Sequence, residues 1–401
     1  MKTKIINGRI LQDGAWTDGV VLYFEDGIIT EISAQNKPCD EEIDAHGCYV
    51  SPGFIDLHTH GAGGADFMDG TVDAYMTASR MHASHGTTAL YPTVLSGSRE
   101  DIDASCALYA EACKEKTQYA KMLGLHLEGP YFAYAFRGAQ DPKHLRNPDP
   151  TEYKELVRKY PGMIKRWSCA PELEGSEEFA TFLKEHGILA AFGHTEADCR
   201  DAYRLYDAGF THITHLYSCT TTVYRKDAKR YAGLVEAAYL HDGITFEIIG
   251  DGIHLPPELL QFVYKFKPTT HVALITDSMR AAGMEEGESI LGGLKTGQRV
   301  IVEEGVAKLP DRTAFAGSVA TMDRVVRNMV KMGGATLADA VKMASETPAA
   351  IMKLTDTGKL QVGYAADIII FDEEIDVKRT IADGQTVYQK QGVIKNVWQG
   401  K

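Results

Sequence analysis

The sequence predicts an α/β protein: a (β/α)8 TIM-type barrel carrying a small β-sandwich domain built from both chain ends. Three observations carry this reading. From about 53 to 350, short apolar runs alternate with helical stretches. Both ends of the chain instead show strand-like runs cut by glycine turns. Within the middle, His, Glu and Asp residues fall just past the apolar runs, at the face where a barrel builds its active site.

The elements follow in order. Runs at 4–6, 19–24 and 27–32 are separated by Asn-Gly, Asp-Gly and Glu-Asp-Gly turns, and the start of the chain reads as a first strand. Runs at 366–371, 377–381 and 386–388, with an Asp383-Gly384 turn, repeat that texture. Pairing the two ends gives one discontinuous β domain, 1–52 plus 355–401, and leaves 53–354 as the barrel. Its strand candidates include 53–57, 89–93, 122–126, 189–193, 212–215, 245–249 and 272–276, with helices such as 71–84, 101–115 and 152–159 between them. A dinucleotide-binding fold would want a Gly-x-Gly-x-x-Gly turn, and Gly61-Ala62-Gly63-Gly64 is not one.

Composition narrows the function. With 44% hydrophobic and 24% charged residues the chain is an ordinary globular protein. It has no 18-residue apolar run and no apolar signal core at its start, so no membrane association is expected. Seven cysteines without a Cys-x-x-Cys pair fit reduced thiols and a cytoplasmic location. A net charge of −13 disfavours nucleic acid and anionic membranes. It also disfavours a phosphorylated substrate, unless positive charge is concentrated locally. Arg225, Lys226, Lys229 and Arg230 form such a cluster, although a short basic run can equally be a solvated loop.

The chemistry lies in residues just past the strands. His58-Thr59-His60 follows the first, Glu128 the third, His194 the fifth, His215 the sixth, Asp251 and His254 the seventh, and Asp277 the eighth. A His-x-His pair on a strand presents both rings to one face, because side chains alternate with period two. Imidazoles converging beside carboxylates suit zinc, iron(II) or a similar divalent ion. A lone histidine is more often a hydrogen-bonded structural residue; a set gathered at one barrel mouth is not. His82, His85, His126, His144, His186, His212 and His271 lack that placement and read as structural, with His126 the nearest to an exception. No cysteine has a histidine partner by placement, which argues against a thiol nucleophile.

At these residues the chain resembles the amidohydrolase superfamily and, within it, the N-acetylglucosamine-6-phosphate deacetylases. The similarity runs from Pro52-Gly53-Phe54-Ile55-Asp56-Leu57-His58 through Thr276-Asp277-Ser278 to Gly363-Tyr364-Ala365-Ala366-Asp367. The resemblance implies a metal-dependent deacetylase in which Glu128, His194 and His215 hold a principal ion. His58 and His60 would hold a second, bridged by Glu128 and capped by Asp277, for one or two ions per subunit. Asp277 would be the catalytic proton shuttle. His254 would contact the sugar, and Phe315, Ala316 and Gly317 would add substrate contacts. Arg230 would bind the phosphate of a neighbouring subunit's substrate, making the protein a homodimer.

Two departures fall on substrate contacts. The family's usual Gly-Ala-His is Gly138-Ala139-Gln140 here, and Gln cannot carry positive charge. The usual Asn-Ala-Met after His-Leu-Tyr/Phe is Ser218-Cys219-Thr220. The expected reaction is removal of the acetyl group from N-acetylglucosamine 6-phosphate. The alternatives are the same chemistry on N-acetylgalactosamine 6-phosphate, an unphosphorylated amino sugar or an N-acyl amino acid, or, more remotely, a non-catalytic scaffold.

Overall fold

The structure is a computed structural model that describes residues 1–115 and 119–391; the end of the expected β domain, 392–401, lies outside them. Eight parallel strands form the barrel: β1 (Phe54–Thr59), β2 (Thr87–Val94), β3 (Leu125–Glu128), β4 (Ile164–Cys169), β5 (Leu189–Phe192), β6 (Phe210–Ile213), β7 (Thr245–Ile249) and β8 (Val272–Ile275). They pair in chain order, and the ring closes through Asp277 N–H donating to the His58 carbonyl at 2.9 Å and a Thr59–Ser278 bridge.

A helix follows each strand: α1 (Val72–Ser84), α2 (Arg99–Ala112), α3 (Pro150–Lys159), α4 (Ser176–Glu185), α5 (Cys199–Tyr206), α6 (Leu234–Leu240), α7 (Pro257–Phe266) and, after an inserted sheet, α8 (Met322–Lys331). Local chemistry starts them where the sequence allows. Thr71 caps α1, and Ser98 with Asp101 forms a reciprocal capping box on α2, which therefore starts two residues before the expected 101. Trp167, Tyr131, Tyr153 and Phe179 pack between strands and helices in the main apolar core.

Part of the barrel interior is polar, which explains what the sequence reading missed. Arg166 of β4 reaches Glu247 of β7 and the Leu57 carbonyl of β1, contacts possible only across the lumen. Strand β4 is absent from the expected strands. Its Ile-Lys-Arg-Trp-Ser-Cys run puts Arg166 and Ser168 inward and Trp167 outward, so its alternation looks like that of a solvated strand. The expected strand at 122–126 is two: Lys121–Met122 pairs with β2, and β3 begins at Leu125.

Strands from the two ends of the chain pair. Tyr49–Pro52 pairs antiparallel with Ile368–Phe371 in a six-stranded sheet, and Lys2–Ile6 lies in a separate four-stranded one. The expected first strand is thus two, Lys2–Ile6 and Arg9–Gln12, each in a different sheet. A further sheet, unforeseen from sequence, runs through Gly287–Leu291, Gln298–Glu303, Val306–Lys308 and Phe315–Ser318 between β8 and α8. Among the described residues no helix is long and apolar enough to cross a membrane.

Candidate metal centre

Strand ends deliver the centre. His58 lies near the end of β1 with His60 at the next inward position, and Glu128 ends β3. His194, His215 and Asp277 each stand two residues past a strand and take left-handed backbone angles, φ +47°, +30° and +47°. Such angles cost a non-glycine residue about 1–3 kcal/mol and persist where the surroundings over-determine them, as at active sites. Here they turn the chain sharply, so the side chain points over the barrel mouth.

Two clusters result: Glu128, His194 and His215, and His58, His60 and Asp277. Glu128 lies between them. Its Oε1 is 3.2 Å from His194 Nε2, 3.0 Å from His215 Nε2 and 3.5 Å from His58 Nε2. Its Oε2 is 3.4 Å from His60 Nε2. Asp277 Oδ1 is 3.4 Å from His58 Nε2 and 3.2 Å from His60 Nε2. All are buried.

The ring orientations fit metal ions. His58 Nδ1 faces Glu247 Oε1 at 2.8 Å, His194 Nδ1 the Phe136 carbonyl at 2.9 Å, and His215 Nδ1 the Ser218 carbonyl at 3.2 Å. Those acceptors make Nδ1 the donor, so in the neutral ring the Nε2 lone pair faces a carboxylate. His58 Nε2 and His60 Nδ1 are buried with no hydrogen-bond partner among the described residues. Lone pair against carboxylate is relieved by a cation or a proton between them. Nitrogen and oxygen ligands at about 2.0–2.2 Å from a tetrahedral ion stand roughly 3.3–3.6 Å apart, close to these spacings.

Protons are the competitors. Burial pulls the His58 imidazolium down, but Asp277 and Glu128 outweigh it and hold its pKa up at about 10. Burial raises Glu128, while His58 and the other imidazoles drive it well below the carboxylate range. The carboxylates thus draw protons onto the surrounding imidazoles, His60 and His194 as well as His58, and an arriving ion must compete with them. Adding zinc to chelator-stripped protein at neutral pH should release protons, read as a buffer-dependent binding enthalpy. Identical enthalpies in buffers of different ionisation heat would show an unprotonated site.

A cavity of about 290 Å3 opens over the centre, at the lower end for small-molecule sites. His254, Phe315 and Gly317 line one side; Ala139, Gln140, Ser218 and Cys219 line another. Gly138 also lines it, with φ +56°, and a Cβ there would lie 2.7 Å from Cys219 Sγ, so glycine is required on both counts. Ala316 does not line the cavity: strand alternation buries its methyl with Met279 and Val300. Arg230 also lies off it, exposed with Arg225, Lys226 and Lys229 on a hairpin, Tyr224–Lys226 against Lys229–Tyr231, where the sequence suggested a loop.

Gln140 bridges two neighbours rather than standing free. Its Oε1 accepts from Ser96 N–H at 2.9 Å, and its Nε2 donates to Glu128 Oε2 at 2.8 Å. His126 places its ring nitrogens on Thr93 and Ser168 hydroxyls, at 3.2 and 2.8 Å, and burial holds its pKa well below the usual value, as a structural histidine requires. Sequence reading gave no role to Asp251, whose carboxylate orients His254 at 2.7 Å, or to Tyr217, which lines the cavity with φ +77°. It also overlooked Arg166 and Glu247 beneath the ligands. The available signal was period two: Glu247 and Arg166 occupy inward positions of strands.

The sequence profile of the Amidohydrolase family matches residues 49–398. The chain is 32% identical to N-acetylglucosamine-6-phosphate deacetylase of Lysinibacillus sphaericus over 91% of this chain and 92% of that one. It is 30% identical to N-acetylgalactosamine-6-phosphate deacetylase of Escherichia coli O157:H7 over 94% and 97%. Among solved structures, a mutant of the Mycobacterium smegmatis N-acetyl-D-glucosamine-6-phosphate deacetylase, in complex with N-acetyl-D-glucosamine-6-phosphate, superposes with TM-score 0.88 at 28% identity, over 97% of this chain and 99% of that one. With the profile spanning most of its length and the barrel-mouth His, Glu and Asp residues in place, the chain belongs to the amidohydrolase family.

Proposed function

We propose that this chain hydrolyses the N-acetyl amide of N-acetylglucosamine 6-phosphate to glucosamine 6-phosphate and acetate. It would act as a cytoplasmic homodimer with two divalent ions, zinc or iron, per subunit. Residues 53–354 would form the catalytic barrel, and 1–52 with 355–401 the supporting β domain. The observation that carries this is Glu128 set between two ligand clusters at the floor of a sugar-sized cavity. The similar deacetylases named above support the substrate.

Bound ions would supply Lewis-acid activation of the water and of the amide carbonyl. The rest falls to side chains. Glu128, His194 and His215 would hold one ion, and His58, His60 and Asp277 the other. In the cation-free cluster burial raises Asp277, yet His58 and His60 outweigh it and keep its pKa below the usual range. The positive charge of bound ions would take over that task, so Asp277 would act as an ionised base. Asp277 would take a proton from the attacking water as its oxygen bonds to the carbonyl carbon. The carbon–nitrogen bond then breaks, and Asp277 returns the proton to the departing amine. His254, held by Asp251, would meet the sugar, and Phe315 beside it, with ring centroids 4.6 Å apart, would offer an apolar wall. Gln140 would steady Glu128 and, through its second N–H, help bind the acetyl oxygen.

The galactosamine epimer is the second reading, favoured by the 30% identity to a deacetylase of that substrate. An acetate-release screen over N-acetylhexosamines with and without 6-phosphate decides between them, and release from none of them would sink the proposal. The basic hairpin adds a prediction. An exposed Arg offers phosphate a bidentate fork, and the hairpin would reach the partner subunit's cavity. Arg230→Ala should raise KM for the 6-phosphate about tenfold or more and leave an unphosphorylated analogue nearly unchanged. Equal losses in kcat/KM on both substrates would show that the hairpin does not read phosphate.

A further inference from the structure

Glu247 is wholly buried at the centre of the barrel, and a buried carboxylate needs partners. It has several. Oε1 accepts from His58 Nδ1 at 2.8 Å, from Arg166 Nη2 at 2.8 Å and from the His215 backbone N–H at 3.2 Å. Oε2 contacts Arg166 Nη1 and lies 3.4 Å from His212 Nε2. Arg166 Nη1 also donates to the carbonyl of Leu57, the residue before His58.

Stability alone does not call for this arrangement, because well-packed apolar residues commonly replace a buried ion pair at no cost. Its position suggests another purpose. Of the candidate ligand histidines, His194 and His215 give their Nδ1 protons to backbone carbonyls, and His60 Nδ1 has no partner among the described residues. Among those four, His58 alone gives its proton to a carboxylate. Such a partner fixes the tautomer and ring orientation and raises the basicity of the other nitrogen. The same oxygen also accepts from the backbone N–H of His215, a bond that a glutamine oxygen at this position would keep.

We propose that Glu247, clamped by Arg166, is the positioning residue that presents His58 to the second ion and so makes this a two-ion centre. The proposal rests on the two-ion reading above. Its test is zinc per subunit after equilibration against buffers of fixed free zinc. Wild type should fill two sites. Glu247→Gln, which keeps size and removes charge, should fill the principal site normally, while the free zinc that half-fills the second rises about 10–100-fold. Glu247→Gln leaves Arg166 unpaired and could misfold, so the neutral pair Arg166→Met/Glu247→Gln carries the same expectation. The melting temperature of each metal-free protein is the structural control.

Variants that fill both sites at wild-type free zinc overturn the proposal, even if their metal-free melting temperature falls, since Glu247 would then be purely structural. Equal weakening of both sites overturns its selectivity for His58. A wild type that binds a single ion overturns the two-ion reading itself, which separates that failure from a failure of Glu247.

Discussion

Asp277→Asn should lower kcat by about three to five orders of magnitude while KM changes little. A positioned acid or base contributes roughly 10²–10⁴ to rate, and Asp277 is assigned both proton transfers of one turnover. Asn preserves the shape of the side chain, so Ser278 and Thr276, which tie this corner to β1, keep their contacts. It cannot accept the proton from water. Steady-state kinetics on the 6-phosphate substrate, with metal content measured alongside, checks this. If KM alone rises while kcat holds, Asp277 is a binding residue and the proton-transfer scheme is wrong.

Glu128→Gln should remove most of the bound metal and with it the activity. The two oxygens of Glu128 are the meeting point of His58, His60, His194 and His215. Replacing one oxygen by NH2 would turn a proposed ligand atom into a donor and remove the negative charge that bound ions would share. Gln140 compounds the change, because its Nε2 already donates to Oε2, and a second amide nitrogen there would face it donor to donor. The expected loss of metal affinity is roughly a hundredfold or more. Elemental analysis of purified protein measures it, and a fully loaded, fully active Glu128→Gln enzyme would refute the assignment.

Legibility in the sequence tracked the range of the signal. The His58-Thr59-His60 pair, Glu128, His194, His215 and Asp277 could be read because strand ends and period-two spacing are local patterns, and a barrel sends all strand ends to one face. Barrel strand β4 escaped because Arg166 and Ser168 replace the branched apolar residues that usually fill a barrel, and their partner Glu247 is distant in sequence. Ala316 sat in the expected substrate contact because a motif names a stretch of chain, whereas strand alternation divides that stretch between cavity and core.

The sequence by itself therefore determined the fold class and the residue types of the candidate centre, since composition, periodicity and turn chemistry act over a few residues at a time. Composition and spacing left the division of those residues into two clusters around Glu128 to the family resemblance, whereas the contacts that surround them were decided by the tertiary structure. It alone made Gln140 a tether between Ser96 and Glu128, and placed a buried Arg166–Glu247 pair behind His58. Each of those outcomes depends on side chains converging from strands far apart in the chain. The depth of burial they reach there turns a lone pair facing a carboxylate into a demand for a cation.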